Sequence, residues 1–206
     1  SFMVQINWKK KRRVAVMYYA LVVSVFLYLL ALAYRAYPES YSVHYNQISH
    51  LGSPLMNPQG YEFFNYAMFF FGIAVIPYML YVFSIHKTYM KKTSYLAFFA
   101  GLICCIFLFA LPFFPVDDWD PHWAVASVVF GSFTALWVIL LWVWAEKIRL
   151  YAPRWKNLLF LFLYLSMIVV FACFYAILTV FWEWVYFFSM IGYLLLLGLF
   201  ITPRGK

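Results

Sequence analysis

Four residues in one short segment of the chain have side chains suited to chemistry. Segment 113–123 contains Asp117, Asp118, Asp120 and His122, which are three of the seven carboxylates and one of the four histidines. Side chains of these types bind metal ions, transfer protons or hold a polar head group. Because the chain is apolar on both sides, we expect helices to enter and leave this turn. The sequence therefore predicts that a functional site is built here.

Other polar residues fall in segments that could reach the same surface. They lie in and just after the first polar segment, and immediately before the last apolar run. We predict one polar pocket, whose ligand-binding residues are Ser49, His50, Asn57, Asn65, Asp117, His122 and Glu183.

A divalent metal ion is one hypothesis for this pocket, with His50, Asp117 and His122 as candidate ligands. Two histidines with a carboxylate suit zinc or a similar ion. The spacing matches no standard ligand motif, because the chain has no His-Glu-x-x-His and no paired-cysteine motif. We therefore predict no cofactor and keep the metal as an alternative. In that alternative Asp117, His122 and Glu183 are the candidate catalytic residues.

Some of these residues also have a purely structural interpretation. Asp120 is a candidate N-cap, with Pro121 at the first helical position. Capping needs only one aspartate, so Asp117 and His122 remain the stronger site candidates. Residues 48–52 are predicted to form an interfacial half-helix that Gly52 closes as its C-terminal cap.

The elements that must position these residues are membrane-spanning helices. Of the 206 residues, 67% are hydrophobic and 11% are charged, whereas a soluble domain has about a quarter charged residues. A spanning helix needs about 20 apolar residues, and Pro77 predicts a kink in the second span. We predict an all-α integral membrane protein with a single domain over 1–206. Its six-helix bundle has spans at about 14–34, 63–85, 93–112, 123–145, 158–180 and 184–201.

The distribution of charge predicts the orientation of this bundle. All but one of the fifteen lysines and arginines fall on the side of the two termini, the exception being Arg35. Basic residues mark the cytoplasmic side, so both termini are predicted to be cytoplasmic, in an inner or plasma membrane. All acidic residues except Glu146 fall on the opposite side. The basic residues cluster at helix ends rather than in a stripe, so the net charge of +8 does not indicate a nucleic-acid partner.

The interiors of the predicted spans exclude some classes of membrane protein. None of the six contains Asp, Glu, Lys, Arg or His, whereas ion-coupled transporters and proton pumps place ionisable groups near the midplane. Chemistry is therefore expected at the outer interface. Tryptophans near span ends, including Trp119 and Trp123, are interpreted as the interfacial aromatic belt. The three cysteines are expected to be reduced and buried.

Several motifs in a fixed order resemble the prokaryotic domain-of-unknown-function family 998. They are Ile48-Ser-His-Leu-Gly-Ser53, Asn57-Pro58, Phe63-Phe-Asn65 with Gly72, Phe114-Pro115-x-Asp117, His122 and the Glu183-Trp-Val-Tyr turn, and the likeness covers about 14–201. The family commonly has Asp where this chain has His50. That family is similar to a broader group of six-span proteins that includes the autophagy-modulator and GPI-remodelling types. The resemblance implies a six-helix bundle and a connection with membrane lipids, and it implies no established reaction.

We expect the protein to bind a lipid or other amphiphile in the polar pocket at the extracytoplasmic face, with membrane lipids as its partners. Two alternatives remain open. One is a metal-assisted hydrolase or transferase acting on a lipid head group, with Glu183 as general base. The other is a non-catalytic subunit of a membrane complex. An oligomer is compatible with the sequence.

Overall fold

The computed structural model describes residues 7–38, 40–177, 180–201 and 203, and within these residues it contains helices and no strand. Seven α-helices run along the chain: α1 Trp8–Arg35, α2 Tyr61–Ala74, α3 Ile76–His86, α4 Lys91–Ala110, α5 Trp119–Glu146, α6 Arg154–Ile177 and α7 Val180–Phe200. Three short 3₁₀ helices lie at Ile48–Gly52, Leu111–Phe113 and Ile148–Leu150. Six of the helical stretches are long and apolar enough to cross a membrane, because α2 and α3 together make one stretch. The prediction of an all-α protein with six such helices is confirmed.

The second span is broken where its two helices meet. Val75 ends α2, and Pro77 follows in the first turn of α3. Proline has no backbone N–H, so the carbonyl of Ile73 loses its helical donor. The Tyr18 hydroxyl of α1 donates to the next carbonyl, that of Ala74, at 2.7 Å. A neighbouring helix thus supplies polar contacts at the break, as an apolar environment requires.

Helix α2 packs closely against both α1 and α4, and α4 lies along α5. Gly72 of α2 shows how close the approach is. A Cβ atom at this position would lie 2.8 Å from both the Cys105 carbonyl oxygen and the Phe109 amide nitrogen of α4. Small residues allow such backbone approach between membrane helices.

The α5 helix is bridged to the α6–α7 pair in another way, by large aromatic rings. The ring of Phe130 lies 5.1 Å from that of Phe174 and 5.5 Å from that of Tyr186, centroid to centroid. Phe174 and Tyr186 are stacked at 5.2 Å. These rings hold α5 apart from the other two helices.

The bundle has an acidic end and a basic end. The acidic end carries Glu62, Asp117, Asp118, Asp120 and Glu183, and the basic end carries residues 9–13, Lys87, Lys91, Lys92, Lys147, Arg149, Arg154 and Lys156. Ring contacts from Tyr89 to Tyr151 and from Trp155 to Phe200 join segments at the basic end. Five residues named or included in the sequence predictions, Glu39, Leu178, Thr179, Arg204 and Lys206, lie outside the described residues.

Three local predictions are wrong. Helix α5 begins at Trp119 with Asp118 as its N-cap residue, and the Asp118 side chain makes no capping bond. Asp120 therefore lies inside the first turn, where Pro121 is tolerated because N–H groups at a helix start have no intrahelical acceptor. Glu183 lies in the first turn of α7 rather than in a turn between spans.

The third error concerns Gly52. This residue ends the 3₁₀ helix Ile48–Gly52, and the cap position belongs to Ser53. The reason for glycine is space, because a Cβ atom at Gly52 would overlap the ring of Phe64.

Candidate functional site

A cavity of about 300 Å³ lies at the acidic end, between the starts of α5 and α7, the final turns of α6 and the segment before α2. Its polar lining consists of Gln47, Ser49, His122 and Glu183. Its apolar lining consists of Trp119, Trp123, Ala126, Phe130, Phe174 and Val180. Two of the rings that separate α5 from α6 and α7, those of Phe130 and Phe174, thus form part of the cavity wall.

The segment before α2 forms one wall of the cavity and is fixed by hydrogen bonds to its backbone. The Tyr41 hydroxyl donates to the Gln47 carbonyl at 2.6 Å, and the Trp184 indole N–H donates to the Asn46 carbonyl at 2.9 Å. Burial, followed by the charge of Glu183, raises the pKa of Tyr41 well above its ordinary value, which keeps the hydroxyl protonated as a donor. These bonds position Gln47 and Ser49 at the cavity.

Asn57 and Asn65 support this wall from behind and are not among the residues that line the cavity. The Asn57 side chain is fully buried, and its amide donates to the carbonyls of Ala33 at 3.1 Å and Leu51 at 2.8 Å. Asn65 lies against Gly52, the last residue of the 3₁₀ helix. Asn57 is thus bonded to the backbone of Leu51 and of Ala33 in α1, and Asn65 lies beside the backbone of Gly52.

His122 is buried and lines the cavity from the first turn of α5. Its Nδ1 atom lies 2.7 Å from the carbonyl oxygen of Phe114. Because a carbonyl only accepts, Nδ1 carries the proton in this bond. In the neutral ring Nε2 is therefore the nitrogen available to accept a hydrogen bond or a proton.

Asp117 is exposed and fastens the loop to the turn before α5. Its carboxylate accepts a hydrogen bond of 2.5 Å from the Ser53 hydroxyl. Ser53 is fully buried, and its oxygen also accepts from the Met56 amide at 2.8 Å. Asp117 is not among the cavity-lining residues, so its direct contacts assign it a positioning role.

His50 lies close to both predicted partners. Burial and then the charge of His122 lower the pKa of His50, while the charge of Asp117 opposes this shift. Its Nδ1 atom is enclosed and makes no hydrogen bond with any described residue. Within the described ranges no group of three or more His, Cys, Asp and Glu side chains could hold a metal ion. The metal site stays a prediction without supporting geometry.

Glu183 is partly buried and lines the cavity from α7, whereas His122 lines it from α5. In the part of the chain that the structure describes, no side chain donates a hydrogen bond to its carboxylate. Placement in the first turn of α7 gives the carboxylate a favourable interaction with the helix dipole. Among the described residues the Glu183 carboxylate thus has no side-chain donor, and it can accept a hydrogen bond from a ligand.

Of the seven predicted site residues, three line the cavity together, namely Ser49, His122 and Glu183. Trp119 and Trp123 also line the cavity, although they were predicted to belong to the interfacial aromatic belt. Their rings are stacked, with centroids 5.8 Å apart and an interplanar angle of 10°. Their spacing of four residues places them on one helix face beside His122, which was the available signal. Gln47, Phe130 and Phe174 carried no comparable signal.

Comparison with protein-family models, curated proteins and solved structures gave no match to this chain. The resemblance drawn from the sequence motifs accordingly stays a prediction, and the function has to be argued from the cavity.

Proposed function

We propose that this multi-pass protein binds a membrane lipid or similar amphiphile in the cavity at its acidic end. In this proposal the acidic end faces the extracytoplasmic side of an inner or plasma membrane, because the opposite end carries the basic residues that mark the cytoplasmic side. The cavity then lies at the level of the lipid head groups.

The observation that carries the proposal is the division of the cavity lining into a polar part and an aromatic part. Ser49, His122 and Glu183 offer a hydroxyl, an imidazole nitrogen and a carboxylate. Phe130 and Phe174 offer apolar ring surface. The volume of about 300 Å³ falls at the lower end of typical ligand sites. That is room for a head group and the start of a chain, while the rest of the chain lies in the bilayer.

The residues divide into two roles under this proposal. Ser49, His122 and Glu183 contact the head group directly. Asp117 and Asn57 hold the loop that forms the wall, through the Ser53 hydroxyl and the Leu51 carbonyl. Changes at Asp117 therefore act on ligand binding through the loop, and they should be accompanied by a loss of thermal stability.

Filling the cavity tests the proposal. Ala126 is a buried lining residue of α5, and Ala124 is exposed on the same helix. The probe is a decyl alcohol with a photoreactive diazirine in its chain, offered to purified protein in vesicles of phosphatidylcholine. Saturable labelling of peptides from 119–130 should be lost in Ala126→Leu and kept in Ala124→Leu. Equal labelling in both variants would overturn the proposal.

A second candidate is hydrolysis of a lipid, which the state of His122 favours. The bond from Nδ1 to the Phe114 carbonyl leaves Nε2 able to take a proton from an attacking water, with Glu183 in the same cavity. Release of fatty acid from phospholipid vesicles should then occur with wild-type protein and fail in His122→Gln. Absence of release from wild-type protein, combined with saturable probe labelling, would leave binding alone as the function.

A further inference from the structure

The charge of the cavity narrows the class of amphiphile that it suits. Among the described residues, its lining contains one carboxylate, that of Glu183, and no lysine or arginine. His122 is the other ionisable lining residue, and in its neutral form its free nitrogen is an acceptor. An anionic head group would meet an uncompensated carboxylate here, whereas a cationic one would meet its counter-ion.

Among the described residues, Glu183 has no side-chain partner that a ligand would need to displace. No described side chain donates a hydrogen bond to its carboxylate, although the residue is partly buried. Removing a carboxylate from water without a partner is unfavourable, and a cation that enters the cavity offsets this cost.

The aromatic wall is of the kind that recognises ammonium groups. Trp119 and Trp123 are stacked with nearly parallel rings, and both line the cavity. Each of the two residues is about half exposed, at 48% and 45%. The face of an indole ring attracts an ammonium ion more strongly than other aromatic faces do. A carboxylate and two indole rings around one cavity thus form a complementary surface for a substituted ammonium ion.

We infer that the amphiphile bound at the acidic end carries a positively charged amine, which pairs with Glu183 and lies against the Trp119–Trp123 rings. This inference rests on the proposed function and specifies its ligand class. The Nε2 atom of neutral His122 and the hydroxyl of Ser49 accept the remaining N–H groups of a primary amine. The alkyl chain follows Phe130 and Phe174.

Three diazirine probes with the same decyl chain and different head groups test the inference: an amine, an alcohol and a carboxylate. Each is titrated against purified protein in phosphatidylcholine vesicles near neutral pH, and saturable labelling of 119–130 gives the affinity. We expect the order amine, then alcohol, then carboxylate. Glu183→Gln should weaken amine binding by about tenfold, as expected for loss of a charge-assisted hydrogen bond, with little change in alcohol binding.

The matched control is Glu62→Gln. Glu62 is an exposed carboxylate in the first turn of α2, at the same end of the bundle, and it does not line the cavity. This variant should keep the wild-type order and affinities. A loss of amine binding as large as that in Glu183→Gln would assign the preference to the general negative charge of this end and overturn the inference.

The outcomes separate the inference from the proposed function. Equal binding of the three probes, blocked by Ala126→Leu and unaffected by Glu183→Gln, would overturn the amine preference and leave amphiphile binding intact. Failure of all three probes to label the cavity saturably would overturn both.

Discussion

The α2–α4 interface and the interface between α5 and the α6–α7 pair differ in how closely the helix backbones approach. At the first, Gly72 allows the backbones of two helices to approach until no Cβ atom would fit between them. At the second, Phe130, Phe174 and Tyr186 separate the helices with stacked and tilted rings. The first interface is tight at Gly72, and the second ends in a cavity of about 300 Å³.

This difference shows how one small bundle can combine a rigid part with a binding part. Interfaces of small residues gain van der Waals contact and exclude other molecules. At the α5 interface, the cavity lies beside the rings of Phe130 and Phe174. Gln47 and Ser49 of the segment before α2 line the same cavity, which places the Ser49 hydroxyl beside aromatic surface.

The largest expected effect comes from removing the ring that separates the helices. Phe130→Ala removes the α5 ring that lies against the rings of both Phe174 and Tyr186. We expect a loss of about 3–5 kcal/mol in the free energy of unfolding, as for other buried phenylalanines. Thermal or denaturant unfolding in detergent measures it. Phe162→Ala is the control, because its ring is 66% exposed. A loss of similar size in both variants would contradict the bridging role of Phe130.

A smaller effect is expected at the close interface. Gly72→Ala places a methyl group 2.8 Å from two backbone atoms of α4, and such overpacking typically costs about 1–3 kcal/mol. Gly131→Ala is the matched control, since a Cβ atom there meets nothing within 4 Å. That change should be neutral or stabilising by up to about 1 kcal/mol, because alanine favours the helix. Melting temperatures of the two variants give the comparison, and equal values would show that α2 and α4 can separate at no cost.

The smallest effect is a dependence of stability on pH. Burial and the charge of His122 lower the pKa of His50, so the unfolded chain binds a proton there more readily than the folded protein does. Stability from this residue is complete above the unfolded pKa of about 6.5 and is lost as the pH falls below it. The melting temperature should rise between about pH 5 and about pH 7 more steeply in wild-type protein than in His50→Gln. Identical slopes would show that protonation of His50 is not coupled to unfolding.

The spans could be predicted because length and apolar composition decide whether a helix can cross a membrane. The apolar run that contains Phe130, for example, is recognisable as a span from these two properties alone. Helix starts were less predictable. Asp120 and Pro121 fit a capping pattern, yet the Asp118 carbonyl accepts from the His122 amide at 3.2 Å, and the helix begins earlier. Local preferences of this kind are weaker than tertiary packing.

The site was only partly predictable for a related reason. Chemical type selects His122 and Glu183 as candidates, but only the fold reveals that Asp117 is exposed and bonded to Ser53 while His122 is buried. Trp119 and Trp123 were ambiguous, because the same rings suit a membrane interface and a ligand. What distinguishes these uses is whether a cavity lies beside the ring, and a sequence does not contain that information.

The break at Val75 divides the second span into two parts with different attachments. Tyr78 and Tyr81 of α3 donate hydrogen bonds to the carbonyls of Leu194 and Gly198 in α7, at 2.9 and 3.3 Å. The α3 part of the span is thus bonded to α7, whereas the break itself is bonded to α1 through the Tyr18 hydroxyl. Because Glu183 lies at the start of α7, the helix that lines the cavity at the acidic end also anchors α3 near the basic end.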